Sequence, residues 1–435
     1  MAALLGLFKI PDLRKKVLFT WGVLAIYRIG VHIPTPGVDG AALQQVFAQM
    51  KGTIFGWFNL FSGGALERFS IFALGVMPYI SSSIIFQLLT VVWPYLHDLQ
   101  KEGGEQGRRR ITQYTRYGAV FLCLIQSYGI ATGLEHYSNP AVVLVPGMVF
   151  RLLTTITLTA GTIFLMWLGE QISERGVGNG ISLIIYAGIA ARIPQGLGTT
   201  MNLYRSGELS FLKIILMLAV IVGTFFCIIF IERGARKIPV QYAKRIVGRK
   251  VYGGQNTHIP LKINTSGVIP PIFASSLIMF PATVATFFPS ERFQKFTATL
   301  QPGGLLYNVL FVGLIVFFCF FYTAVSFKTD DVAENLKKYG GFIPGIRPGG
   351  PTAQYIDYVL SRITLGGAVY ISAICVLPTI FTQTMKVPFY FGGTSLLILV
   401  GVALDTMSLV ETFLLTQNYE SFMKHTRVKG RAAYS

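Results

Sequence analysis

The 435-residue chain carries 37 Lys and Arg against 19 Asp and Glu, a formal net charge of +18. Yet 52% of its residues are hydrophobic, only 13% are charged, and the mean hydropathy is +0.56, which excludes a soluble globular domain and points to a polytopic membrane protein. The charge excess would suggest nucleic acid in a soluble chain; here, basic loops gathered on one membrane face account for most of it.

Ten apolar runs, each bounded by charge or by Pro and Gly, fall near 17–33, 70–92, 117–134, 150–169, 181–198, 211–231, 265–288, 305–327, 363–382 and 394–415. Each approaches the roughly 20 helical residues that cross a hydrocarbon core. Lys9, Arg14, Lys15 and Lys16 precede the first run as they would in a secretory signal. Arg28 interrupts that run and no small-residue cleavage site follows, so it reads as an uncleaved first span.

Residues 57–68 come next, apolar but studded with Gly63, Gly64, Glu67 and Arg68. They are too few to cross a membrane and can enter it only where protein shelters their backbone. In the second run, Val76, Ile80, Ser83 and Gln87 stand at i, i+4, i+7 and i+11, one narrow helical face that is apolar at one end and polar at the other. The following loop, 94–116, holds Arg108, Arg109 and Arg110, which suit either topological anchoring or anionic lipid. Gly176-Val177-Gly178-Asn179-Gly180 resembles a phosphate loop only superficially, because no Lys-Ser/Thr follows and no strand precedes it. Beyond it Ser182, Ile185 and Ile189 share one side of the fifth run.

Residues 232–262 carry eight basic side chains against Glu232, among them Arg245, Arg249 and Lys250, with Tyr242 and Tyr252 interleaved. Such a surface suits a phosphate-rich or acidic partner. The seventh run opens on Asn264-Thr265-Ser266-Gly267-Val268-Ile269-Pro270-Pro271, and the paired prolines are expected to kink its early turns. Ile272, Ser275 and Met279 then share a face, with Ser276 adjacent. Residues 328–357 end in Gly341-Phe342-Ile343-Pro344-Gly345-Ile346-Arg347-Pro348-Gly349-Gly350, where prolines and glycines forbid a regular helix. In the tenth run Thr394, Ile398, Gly401 and Asp405 repeat the i, i+4, i+7, i+11 pattern. Small and polar residues on any one helix serve as packing glue. Four helices that each set an aliphatic residue in a polar stripe also suit a conduit with wet walls and an apolar constriction.

An even number of spans puts both termini on one side, and the basic loops favour that side by roughly three to one, which makes it cytoplasmic. Cys123, Cys227, Cys319 and Cys375 lie apart inside the spans without a CxxC, and the five histidines show no metal-ligand spacing. No metal site, cofactor or catalytic constellation is expected. A ten-span secondary transporter is the alternative reading, but buried ionisable groups of the kind that couple ions are few: Arg28, Glu170 and Asp405.

Several blocks are more specific. Phe58-Asn59-Leu60-Phe61-Ser62-Gly63-Gly64-Ala65-Leu66, Ala73-Leu74-Gly75-Val76-Met77-Pro78-Tyr79-Ile80-Ser81 and Trp167-Leu168-Gly169-Glu170-Gln171-Ile172-Ser173-Glu174-Arg175-Gly176 lie in the first half. Gly267-Val268-Ile269-Pro270, Pro344-Gly345-Ile346-Arg347-Pro348-Gly349 and Val387-Pro388-Phe389-Tyr390-Phe391-Gly392-Gly393-Thr394 follow in the second. Nearly end to end, the chain resembles the SecY family, the central subunits of the bacterial protein-conducting channel.

The resemblance implies ten helices in two pseudo-symmetric halves, 1–200 and 201–415, around an hourglass pore, with 416–435 a cytoplasmic tail in the plasma membrane's multi-pass topology. It implies a pore ring of Val76, Ile80, Ile185, Ile272 and Ile398, where the family favours isoleucine and Val76 departs. A short re-entrant plug helix would span about 57–68, with Phe58 to Leu66 as its motif, and runs two and seven would form a lateral gate bearing Ser83, Gln87, Ser275 and Ser276. The implied partners are SecE and SecG, signal peptides and nascent chains, and a SecA ATPase or a ribosome on the loops 232–262 and 328–357. Arg347 would couple the motor, with Arg245, Arg249 and Lys250 as further contacts, and rRNA would be touched only through the ribosome.

Overall fold

The computed structural model describes residues 10–49, 59, 62–101, 103–135, 142–242, 245–247, 250–252, 256–285, 304–385 and 392–425. The helices are α1 Pro11–Gly30, α2 Gly40–Gln49, α3 Met77–Val92, α4 Pro94–Lys101, α5 Gly104–Glu135, α6 Met148–Arg175, α7 Gly180–Ala190, α8 Ile193–Arg205 and α9 Phe211–Glu232. After the strands β1 Ala235–Tyr242, β2 Arg245–Val247, β3 Lys250–Tyr252 and β4 Asn256–Lys262 come α10 Ile269–Ala285, α11 Leu305–Ser326 and α12 Thr329–Lys338. Strand β5 Gly341–Phe342 and the long helices α13 Gly350–Met385 and α14 Gly393–His425 complete the order.

The membrane body is all-α. Among the described residues seven helical segments are long and apolar enough to cross a bilayer, or eight if α3 and α4, bent by 95° at Trp93, count as one broken span. The ten runs of the sequence therefore do not all meet that test. Helix α1 has 20 residues but carries Arg14, Lys15, Lys16 and Arg28, and α10 is short, with 17 residues. Large side chains such as Trp21, Val149, Phe226, Phe230 and Leu305 remain exposed on the helix surfaces, as they would where lipid replaces water as the solvent.

Two helix starts differ from expectation. The second run does not become helical until Met77, because 62–76 run as successive turns in which Gly63, Gly64 and Gly75 hold positive φ. Val76 is thus the N-cap of α3 and Pro78 sits in its first turn. In α10 the pair Pro270-Pro271 opens the helix instead of kinking it. Proline's missing N–H is harmless in a first turn, where no intrahelical acceptor exists.

The two long loops that flank α9 to α13 are one structure. Strand β1 pairs antiparallel with β4, Ile238 opposite Ile259, and its end pairs with β5, Gln241 opposite Phe342. Ile238, Val240, Leu261, Ile343, Ile356 and Val359 make its separate buried core. Strands β2 and β3 form a second, two-stranded ribbon at the tip. Helix α3 packs against α10, and α7 against α14, so the first part of the chain meets the second at the centre. A division at residue 200 cuts α8; the break in helical structure lies at 206–210.

Candidate functional site

The centre of the bundle is apolar. Val76 at the head of α3, Ile80 on α3, Ile185 on α7, Ile272 on α10 and Ile398 on α14 are between 0% and 8% exposed and belong to one buried hydrophobic cluster. That burial is by protein alone, without help from lipid, and the cluster also takes in residues of other helices such as Val23, Leu165, Phe311 and Ile371. Helix α7 is aimed there by a local device. Asn179 is its N-cap and accepts from the backbone N–H of Ile181 at 3.1 Å and Ser182 at 3.3 Å. The amides of the 176–180 turn are engaged outside α7: Gly176 N–H donates to the Ile172 carbonyl at 2.8 Å, Val177 N–H to Thr20 Oγ1 at 3.1 Å and Gly180 N–H to Ser173 Oγ at 2.9 Å. A Cβ on Gly180 would stand 1.9 Å from the Gly169 carbonyl oxygen, so only glycine lets α7 leave α6 so closely.

Against this centre sit residues 62–76, whose Ala65 and Phe72 join the same cluster, with Asn59 bound to Glu67 beside them. Of the block expected to be a plug helix, Phe58, Leu60 and Phe61 lie outside the described residues; Asn59 is helical and 62–69 are turns. Glycines on its neighbours make its seat. A Cβ on Gly63 would stand 2.6 Å from Gly188 Cα on α7, and one on Gly161 of α6 would stand 1.9 Å from the Ile71 carbonyl. Phe72 lies over Gly30 of α1 and stacks between Tyr27 and Phe164, each ring centroid 6.1 Å away.

Polar contacts then fasten the segment. Tyr27 Oη donates to the Ser62 carbonyl and Arg28 Nη1 to the Gly63 carbonyl, each at 3.3 Å. Asn59 Nδ2 donates to Glu67 Oε2 and the Glu67 N–H donates to Asn59 Oδ1, each at 3.0 Å. The same Glu67 oxygen accepts from Arg192 Nη2 at 2.8 Å. Its other face, through Leu66, Phe69, Ala73 and Leu74, joins a second cluster with α2, α5 and Val142 and Val143. Thr35 N–H donates to the Phe69 carbonyl at 2.8 Å and Ile71 N–H to the Ile33 carbonyl at 3.0 Å, straps from the chain that leaves α1.

On α3, Ser83 and Gln87 are half-buried and Gln87 Nε2 reaches Ser83 Oγ at 3.4 Å. Ser275 and Ser276 are buried, and both hydroxyls donate to the Ile272 carbonyl, at 2.9 and 2.8 Å. A hydroxyl satisfied within its own helix can face a dry seam without a penalty. Arg347 is exposed at the tip of the turn between Gly345 and Gly349, both of positive φ, and its carbonyl is held by Thr352 Oγ1 at 2.8 Å. Arg245 and Lys250 fall in β2 and β3; Arg249, like 387–391 of the last sequence block, lies outside the described residues. Asp405, at the end of the α14 stripe, is exposed.

A family model described as SecY matches residues 70–407. The translocase subunit SecY of Escherichia coli strain K12 is 53% identical over 424 residues, covering 96% of both chains. The chain belongs to the SecY family. The translocase subunit SecY of Vibrio cholerae is 52% identical over 428 residues, 97% of this chain and 96% of its own. Among solved structures, one described as a protein conducting channel shares the fold with a TM-score of 0.68 at 18% identity, covering 93% of this chain and 96% of that one. A second, which concerns a SecY plug domain that stabilises the closed state of its channel and maintains a membrane seal, has a TM-score of 0.67 at 18% identity, with the same coverage.

Sequence reasoning had the five aliphatic positions but missed the residues that seat the segment in front of them. Tyr27, Gly161, Gly188 and Arg192 carry no motif that separates them from ordinary span residues. Glu67 alone was visible as a carboxylate in an apolar stretch, which needs a partner.

Proposed function

We propose that this SecY-family chain is the pore-forming subunit of a protein-conducting channel. It moves unfolded secretory polypeptides across the bacterial plasma membrane and releases hydrophobic segments sideways into lipid. The observation that carries the reading is the single buried cluster joining Val76, Ile80, Ile185, Ile272 and Ile398 from α3, α7, α10 and α14. An apolar waist of branched side chains is sealed at rest, makes no specific hydrogen bond to a passing chain, and closes around any sequence. No chemical step is involved and the chain is not an enzyme.

In this reading ten spans form two halves around the waist, roughly 1–200 and 201–415, with the tail 416–435 and both termini in the cytoplasm. The segment around 57–68 is the plug, and α3 and α10 are the walls of the lateral gate, with Ser83, Gln87, Ser275 and Ser276 along it. Partition supplies the sorting rule: Leu or Ile at mid-membrane favours insertion by roughly 0.3–0.6 kcal/mol, whereas Asp, Lys or Arg costs about 2.5–3.5 kcal/mol. The shared β1–β4–β5 unit is the docking face for a SecA-type ATPase or a ribosome, which supplies the driving force, with Arg347 and the basic residues Arg245, Arg249 and Lys250 in contact. SecE and SecG are the membrane partners, and anionic lipid meets the basic loops.

Reconstitution tests the function. Proteoliposomes holding the chain with SecE, SecG, SecA and ATP are expected to protect a secretory precursor from added protease. Saturable, gradient-driven uptake of a small solute with no protected precursor would instead indicate a secondary transporter.

A further inference from the structure

Glu67 is the only carboxylate within 59–76, and its Oε2 is gripped from two directions. Asn59 Nδ2 lies 3.0 Å away within the same segment, and Arg192 Nη2 lies 2.8 Å away at the head of α8. Both ionic side chains are largely withdrawn from solvent, Arg192 at 18% and Glu67 at 27% exposure. Arg28, from the end of α1, grips the same segment at the Gly63 carbonyl, while the Arg68 side chain is exposed.

We propose that the Glu67–Arg192 ion pair is a latch that sets how long Asn59 and residues 62–67 stay seated in front of the apolar waist, making Arg192 a positioning residue for closure. The inference rests on the channel reading above. The glycine contacts at Gly63 and Gly188 shape the seat but attract weakly, since they bury almost no side chain. The ion pair is a shorter directional contact than the 3.3 Å bonds from Tyr27 and Arg28, and it joins the segment to a helix 125 residues further along the chain. When the segment leaves, both charges must separate, and Arg192 is left next to Arg28 without its carboxylate. Unlatching is therefore steeper than sliding off an apolar surface, and a half-buried pair is weakly screened by salt.

Planar-bilayer recordings of the full chain with its membrane partners test this directly. Glu67→Gln and Arg192→Gln are each expected to raise resting ion conductance about fivefold, the loss of one moderate ion pair, with precursor translocation retained. The double variant should leak no more than either single one, because the two act through one contact. A wild-type resting conductance in the single variants, or additive leakage in the double one, overturns the latch. Deletion of 59–66 separates the two levels of the argument. Leakage on deletion but not on substitution rejects the latch and keeps the plug, whereas a tight channel after deletion rejects both. Should a glutamine variant fail to assemble, Arg192→Lys takes its place, keeping charge but losing the guanidinium fork; a smaller leak supports the latch and an unchanged resting conductance contradicts it.

Discussion

At the scale of single residues, closeness of approach does more than chemistry. Gly180 stands where a Cβ would meet the Gly169 carbonyl at 1.9 Å, so Gly180→Val is expected to cost about 1–3 kcal/mol by overpacking. Asn179→Ala, which strips two cap bonds from α7, should cost about 1 kcal/mol. Thermal unfolding in detergent reads both, and an unchanged Tm for Gly180→Val would mean that α6 and α7 are not locked at their turn. Arg347 differs in kind: it is exposed on a glycine-bounded turn and held there through its backbone carbonyl, so its side chain can be changed without harm to the fold. Arg347→Glu should therefore depress motor-driven export several-fold while assembly and melting stay put, and equal losses of both would point to misfolding. Helical spacing picked out Val76, Ile80, Ile185, Ile272 and Ile398 as aliphatic residues in polar stripes, and only the resemblance to SecY proteins grouped them as a ring. The Glu67–Arg192 pair was not legible, because no local pattern connects residues 125 apart.

At the scale of elements, the clearest departure is the β1–β4–β5 unit. Ile238 and Val240 alternate with Lys237, Pro239 and Gln241, which is a strand signal. Two features masked it, the density of basic residues and Pro239, which argues against a central strand. The structure resolves the conflict, since β5 pairs only with Gln241 and Tyr242 and leaves Pro239 with a neighbour on one side. Because Ile238, Val240 and Ile343 share one small core with α13, a charge inside it has nowhere to go. Val240→Asp should open residues 235–262 to limited proteolysis while the membrane helices remain protected, and uniform protection would show that the sheet does not depend on that core. The late start of α3 has a similar origin. The apolar run continues unbroken from 70 to 92, but Gly75 takes a φ of +57° and Pro78 prefers a first turn, so backbone conformation, invisible to hydropathy, decides where the helix begins.

For the whole molecule, hydropathy and the placement of Lys and Arg were enough to identify a multi-span membrane protein, because a bilayer imposes both length and charge asymmetry. They do not say which spans meet. That depends on contacts such as α3 with α10 and α7 with α14, through which the two parts of the chain meet around a buried apolar cluster. If that cluster lines the path of a polypeptide, a photoreactive residue in place of Ile80 or Ile398 must touch a secretory chain stalled in transit. The expected product is a crosslink to the mature part of that chain from both positions, and labelling of lipid alone would contradict a pore at the centre of this fold.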